Sequence, residues 1–120
     1  MSKIINKIGL ETIVGFSCGS QLFNIKELKD YGISYFSLGS IFSTMTKNDT
    51  DVLSKNIINK YLKHKIIPVC LIGGIDSSNI RSVAKYKPNM IAISNGIFRE
   101  DVDNIKKTIK ILQGFINEKD

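Results

Sequence analysis

The sequence predicts an α/β fold built on a parallel sheet, and three observations lead there. Four short apolar runs recur, TIVGFSCGS (12–20), ISYFSLGS (33–40), IIPVCLIGG (66–74) and NMIAISNG (89–96), and each closes on glycine or a small polar residue. Their near-continuous Ile, Val, Leu and Phe content suits strands covered on both faces, as in parallel sheets. Between the runs lie stretches with apolar residues at helical spacing. Strand and helix thus alternate four times. That order gives right-handed crossovers in a sheet that is either open and doubly wound or curled into a barrel.

Each helix has its own signature. Leu22, Ile25 and Leu28 recur at three-residue spacing, and Gly32 follows as a stop. After Asp49 and Thr50, either of which can cap, Leu53, Ile57, Ile58, Tyr61 and Leu62 form one apolar face. Ser77 or Ser78 opens a short helix carrying Ile80, Val83 and Ala84. The last helix begins near Asp101 and sets Val102, Ile105, Ile109, Leu112 and Ile116 on one stripe. Ahead of the first strand, Ile4, Ile5 and Ile8 at helical spacing and Gly9 read as the tail of a preceding helix. Core packing accounts for every one of these stripes.

The 120 residues make one domain, 1–120, with ordinary globular composition. The net charge of +6 invites an anionic partner, yet the chain holds 21 Ile, 15 Lys and 10 Asn, a bias that loads lysine onto exposed faces whatever the function. The lysines scatter, without interleaved aromatic stacking residues, so no nucleic acid is expected. Cys18 and Cys70 sit in strand-like runs as small buried residues and form no disulfide framework. The single histidine, His64, stands at a helix end, where it favours the dipole, and no second His or paired Cys joins it in a zinc site. No run approaches eighteen apolar residues and no signal peptide is evident, so the expectation is a cytoplasmic protein without a membrane span.

In parallel sheets ligands bind beyond the carboxyl ends of the strands. There the chain presents Ser17 to Ser20, Gly39 to Lys47, Gly73 and Gly74, and Ser94 to Gly96. Thr44 and Thr46 offer hydroxyl donors and Lys47 a charge that reaches the same anion. Gly73 and Gly74 permit close backbone approach, and the helix start at Ser77 to Asn79 is a candidate phosphate holder. The combination points to a small phosphorylated ligand.

The order GFS (15–17), GSIFSTMTK (39–47), PVCLIGGI (68–75) and MIAISNGIF (90–98) resembles the second half of thiamine-phosphate synthase. That family carries a glycine-x-serine strand end, then G-x-x-F-x-T-x-T-K, IGGI and V-S-A-I segments at similar intervals. The resemblance implies four consecutive β/α units forming the C-terminal half of a TIM (β/α)8 barrel, that is, a truncated member. It implies thiamine biosynthesis: coupling of hydroxyethylthiazole phosphate to hydroxymethylpyrimidine diphosphate, with release of pyrophosphate and the help of magnesium. On this likeness Thr44, Met45 and Thr46 lie along the thiazole phosphate, Gly74, Ser94 and Asn95 complete the cradle, and Ser17 and Lys47 face the diphosphate. Lys47 is then the catalytic residue, stabilising the departing pyrophosphate.

The departures carry information too. The family's glutamine, arginine and lysine cluster and its acidic magnesium ligands belong to the first half, so this chain is expected to hold no metal site of its own. Asp49 and Asp51 read as helix-capping residues. Asn95 replaces the serine of V-S-A-I, and Gly19 stands where the related thiazole tautomerases place a histidine. Half a barrel leaves two strand edges and an inner face uncovered, so a homodimer or a complementary N-terminal half-barrel chain is expected as partner. The alternative is a non-catalytic, degenerate half-barrel remnant or phosphate-binding module.

Overall fold

The computed structural model describes residues 11–19, 23–43, 52–64, 66–98 and 101–117. Four strands, β1 (Gly15–Gly19), β2 (Tyr35–Leu38), β3 (Val69–Ile72) and β4 (Met90–Ala92), form one sheet in sequence order, with every neighbouring pair parallel. Helix α1 (Ile25–Asp30) connects the first two strands, α2 (Lys55–Lys63) the second pair and α3 (Ile80–Ala84) the third. A single turn, α4 (Asn95–Phe98), follows β4 and leads to α5 (Val102–Asn117). The fold is the predicted one, four β/α units on a parallel sheet.

Local chemistry places the helix ends. Asn24 caps α1 by accepting the Lys26 N–H at 3.1 Å, and Gly32 leaves the helix at φ +84°, a conformation that costs a glycine little. Helix α2 is capped by Ser54, whose hydroxyl accepts the Ile57 N–H, rather than by Asp49 or Thr50, which lie outside the described residues. Leu53 is therefore a buried residue ahead of the helix, not part of it. His64 closes α2 and its N–H reaches the Tyr61 carbonyl, as its place in the sequence implied. Helix α3 starts at Ile80, two residues later than Ser78, because 77–79 form a turn.

The register puts Phe36 beside Val69, and Leu38 beside Leu71, on one face of the sheet. Helices α1, α2 and α3 cover that face with Leu28, Ile58, Tyr61, Ile80 and Val83. Phe36, Leu71 and Val83 are fully buried there, and the Tyr61 ring meets Phe36 edge-on at 5.6 Å. At the amino ends of the strands the Val14 N–H donates to Ser34 Oγ (2.9 Å) and the Val69 N–H to Asn89 Oδ1 (3.0 Å).

The opposite face corrects the expectation of strands covered on both sides. Ser17, Ser37, Cys70 and Met90 stand in one row across it, flanked by Tyr35 and by Ile72 and Ala92. Ser17 is exposed, and Ile72 and Met90 are more than a third exposed. Cys70 is buried among its neighbours, as is Cys18 on the helical side, in line with their reading as small buried residues. Small and amphipathic residues tolerate water at these alternating positions, so the strands form with only one face sealed. Among the described residues, β1 pairs only with β2 and β4 only with β3, which leaves both edges of the sheet open.

Helix α5 also departs from its expected stripe. Thr108 is buried and Ile105 and Leu112 are half-buried, whereas Val102, Ile109 and Ile111 are exposed. The face turned to the body is centred on Thr108, which heptad spacing alone does not mark. Leu71→Ala should lower the unfolding free energy by about 2–5 kcal/mol, the range for a buried leucine truncated to alanine. Val102→Thr should change it by less than about 0.5 kcal/mol. Denaturant titration of the two variants against the parent chain checks both.

Candidate functional site

The carboxyl ends of β2, β3 and β4 are knitted together by main-chain contacts. Beyond Leu38 the chain continues alongside β3: the Ile41 N–H donates to the Ile72 carbonyl and the Phe42 N–H to the Gly73 carbonyl, both at 3.1 Å. The glycine pair is shaped for this approach. Gly73 has φ +108° and Gly74 φ +68°. A Cβ at Gly73 would stand 2.7 Å from Ser40 Cα, and one at Gly74 2.8 Å from Phe42 Cβ. The sequence suggested that these glycines admit a ligand; what they admit within the chain is the segment after β2.

A second contact brings in β4. A Cβ on Gly96 would lie 2.9 Å from Asp76 Cβ, so the backbone of α4 rests directly on the turn after β3. Ser94 and Asn95, both exposed, therefore stand at the same end of the sheet as Gly74. Ser17 lies apart from them. It is two residues short of the end of β1 and opposite Ser37 on the open face. Thr44, Met45, Thr46 and Lys47 lie outside the described residues, and the described chain carries the approach to them as far as Ser43.

The turn from β3 into α3 is built by residues that sequence reasoning used only as a helix start. Asn79 Nδ2 donates to the Gly74 carbonyl (2.8 Å), and its Oδ1 accepts the Asp76 N–H (3.0 Å). The Asp76 carboxylate accepts both the Ser78 N–H (2.9 Å) and the Ser78 hydroxyl. An acidic group thus already occupies the amide that was expected to meet a phosphate, and α3 is only five residues long. The helix start is a stapled turn, not an anion site. Its legible signal was the D-S-S-N run, since Asp and Asn favour side-chain bonds to nearby backbone in turns.

Among the described residues no three His, Cys, Asp or Glu side chains gather closely enough to hold a metal ion. Burial pushes the Cys18 thiol up to about 11. The Cys70 thiol is also raised by burial, with the Ser37 hydroxyl and the Ala92 backbone pulling the other way. Neither thiol is poised as a nucleophile at neutral pH. A cavity of about 360 Å³ between α1 and α2, lined in part by Phe23, Lys26, Tyr61 and His64, contains none of the sequence-predicted site residues. No helix among the described residues is long and apolar enough to cross a membrane.

With four parallel strands and three interlocked strand ends established, comparison with known proteins is decisive. The family described as thiamine monophosphate synthase matches residues 1–97. The chain belongs to that family. Thiamine-phosphate synthase of Nitrosospira multiformis is 33% identical over 92 residues, which is 77% of this chain and 39% of the relative. The enzyme of the same name from Clostridium botulinum is 32% identical over 108 residues, 90% of this chain and 49% of the relative. Among solved structures, thiamine phosphate pyrophosphorylase from Pyrococcus furiosus superposes with a TM-score of 0.78 at 27% identity, covering 98% of this chain and 55% of that one. The chain thus spans about half the length, or less, of these relatives. Its four β/α units are part of a TIM-like α/β fold.

Two outcomes test the geometry. Gly74→Ala places a side chain at φ +68° against Phe42 and should cost more than about 1 kcal/mol in denaturant titration. Because burial raises the Cys18 pKa in the fold from 9.0 to about 11, the thiolate favours the unfolded chain. Stability is then unaffected by this group below pH 9 and falls as pH rises from 9 toward 11. Cys18→Ala should reduce the drop in denaturation midpoint over that window, and the native Cys18 should resist alkylation at neutral pH.

Proposed function

We propose that this chain is a thiamine-phosphate synthase-like protein that supplies the hydroxyethylthiazole phosphate and pyrophosphate side of the site, the C-terminal half of the barrel, for coupling to hydroxymethylpyrimidine diphosphate. The observation that carries this reading is the interlock of three strand ends. The Phe42 N–H bonds to the Gly73 carbonyl and Gly96 rests on Asp76. Through these contacts the segment leading to Thr44, the Gly74 turn and the Ser94–Asn95 pair share one end of the sheet.

In the mechanism this implies, Thr44, Met45 and Thr46 hold the thiazole phosphate together with Gly74, Ser94 and Asn95. Lys47 binds the diphosphate as its bond to the pyrimidine methylene breaks and the thiazole nitrogen attacks. Charge builds on the departing pyrophosphate, so a fixed ammonium with hydroxyl donors lowers the barrier without proton transfer. Ser17, on the open face, is assigned to the pyrimidine side. Magnesium serves the family, but the described acidic residues do not fit it, since Asp76 is engaged by Ser78 and no cluster of acids forms. Metal ligands are assigned instead to a complementary segment.

The half-exposed face and the two open edges call for further strands. Either a complementary N-terminal half-barrel or a second copy of the chain supplies them, and association closes the sheet. The isolated chain is then expected to be inactive or nearly so.

Calorimetric titration with hydroxyethylthiazole phosphate, with and without pyrophosphate and magnesium, should show binding to the associated protein. No heat under any condition would favour a non-catalytic remnant. In the reconstituted enzyme Lys47→Ala should lower turnover by at least about a hundredfold, as loss of a transition-state donor does. Thr46→Ala should weaken thiazole phosphate binding by about tenfold, equivalent to one hydrogen bond to a charged group. Unchanged turnover in Lys47→Ala would refute the role given to that lysine. Sedimentation of the purified chain should give a dimer or a larger assembly, and a cooperatively folded monomer would contradict the association.

A further inference from the structure

The turn after β3 carries two adjacent glycines at positive φ, Gly73 and Gly74. Glycine adopts either sign of φ at little cost, so the pair alone does not fix which way its peptide groups face. Asn79 supplies that constraint. Its Nδ2 donates to the Gly74 carbonyl at 2.8 Å and its Oδ1 accepts the Asp76 N–H at 3.0 Å. These two groups belong to the two peptides that flank Ile75. The carboxamide matches them in one orientation only, since reversing it would set donor against donor and acceptor against acceptor.

Both peptides are trans, so the C=O and N–H of each point to opposite sides. Holding the Gly74 carbonyl toward Asn79 aims the Ile75 N–H away from it, and holding the Asp76 N–H aims the Ile75 carbonyl away as well. That carbonyl meets α4. A Cβ on Gly96 would collide with the Ile75 carbonyl oxygen, so the backbone beside Ser94 and Asn95 is seated on a peptide whose direction Asn79 sets. The Ile75 side chain is 3% exposed and packed in the core, so the turn does not shift as a unit without uncovering apolar surface.

We propose that Asn79 is the positioning residue for this end of the sheet: its carboxamide clamps the peptides on either side of Ile75 and thereby holds the Gly74 turn and the seat of α4 in one arrangement. With both ends of the carboxamide engaged by main chain, Asn79 acts on a ligand only through Gly74 and the Ser94–Asn95 pair. This effect on a ligand depends on the phosphate cradle proposed for those three residues, whereas the clamp stands without it.

Amide hydrogen exchange, followed by NMR on the full chain, reads the clamp. Asn79→Ala removes both bonds and should speed exchange of the Asp76 amide about fivefold, what the loss of one ordinary intramolecular hydrogen bond gives. The Phe36 amide, bonded to the Pro68 carbonyl, and the Lys85 amide, bonded to the Arg81 carbonyl, report the sheet and α3 and should not change. Asn79→Asp keeps an oxygen facing the Asp76 N–H but sets a second acceptor against the Gly74 carbonyl. It should preserve the protection of Asp76 and displace the Ile75 amide resonance. In Asn79→Ala, equal acceleration at Asp76, Phe36 and Lys85, or none at Asp76, overturns the proposal; so does an unmoved Ile75 resonance in Asn79→Asp. Calorimetric titration of the associated protein with hydroxyethylthiazole phosphate then reads the effect on a ligand. Asn79→Ala should bind about fivefold more weakly, because the competent turn is then only part of the population. Unchanged affinity overturns the positioning role. A parent protein that binds no thiazole phosphate, with exchange altered only at the clamp, upholds the clamp and overturns the reading of the cradle.

Discussion

The hydrogen-bond ladder between β2 and β3 does not stop where the strands stop. Ile41 and Phe42 continue it onto Ile72 and Gly73, and the rest of the candidate site depends on that continuation. Backbones come this close only where side chains are missing, and the Gly73–Gly74 turn removes two of them at positive φ, where other residues are strained. Once this contact exists, the return at Leu53 can bond Ser40, the turn after β3 can be stapled by Asn79, and Gly96 can settle on Asp76. Three loops that are far apart in sequence become one surface.

Among the described residues, the sheet is finished on one side only. Phe36, Leu38, Val69 and Leu71 are sealed beneath the helices, while Ser17, Tyr35, Ile72 and Met90 look out from the other face. In a closed barrel that second face is interior, and the alternation of small, amphipathic and apolar residues suits an interior shared with other strands. The same alternation explains how the four units fold with that face open. A parallel sheet buried on both faces by its own helices needs crossovers on both sides, and here the three helices described between strands pack on one.

Parts of this were legible before any coordinates. The strand runs, the helix order and the buried cysteines follow from hydrophobic period and composition, because local burial patterns are written residue by residue. Exact boundaries were less legible. Ser54 caps α2 because its φ of −71° and ψ of 152° aim the hydroxyl at Ile57, a geometry that Asp49 and Thr50 advertise equally well in a list of letters. The buried face of α5 differs from the apolar stripe for a related reason. Five apolar residues at heptad spacing look like one buried seam, yet the helix turns Thr108 inward, and only its neighbours decide that. The candidate site was read from motifs, T-M-T-K with I-G-G-I; the first lies outside the described residues, and the contacts of the glycines were not legible. They serve a neighbouring segment of the same chain before any ligand.

By itself the sequence determined the fold class, the family and the parallel alternation, since each depends on residue type and short-range spacing. Only the tertiary structure decided which face of the sheet is sealed, that the helix start after β3 is filled by Asp76, and that Ser40 sits at the junction of three backbone segments. Those outcomes depend on which surfaces meet across dozens of residues, and a buried hydroxyl or a missing Cβ acquires meaning only when its neighbour is known.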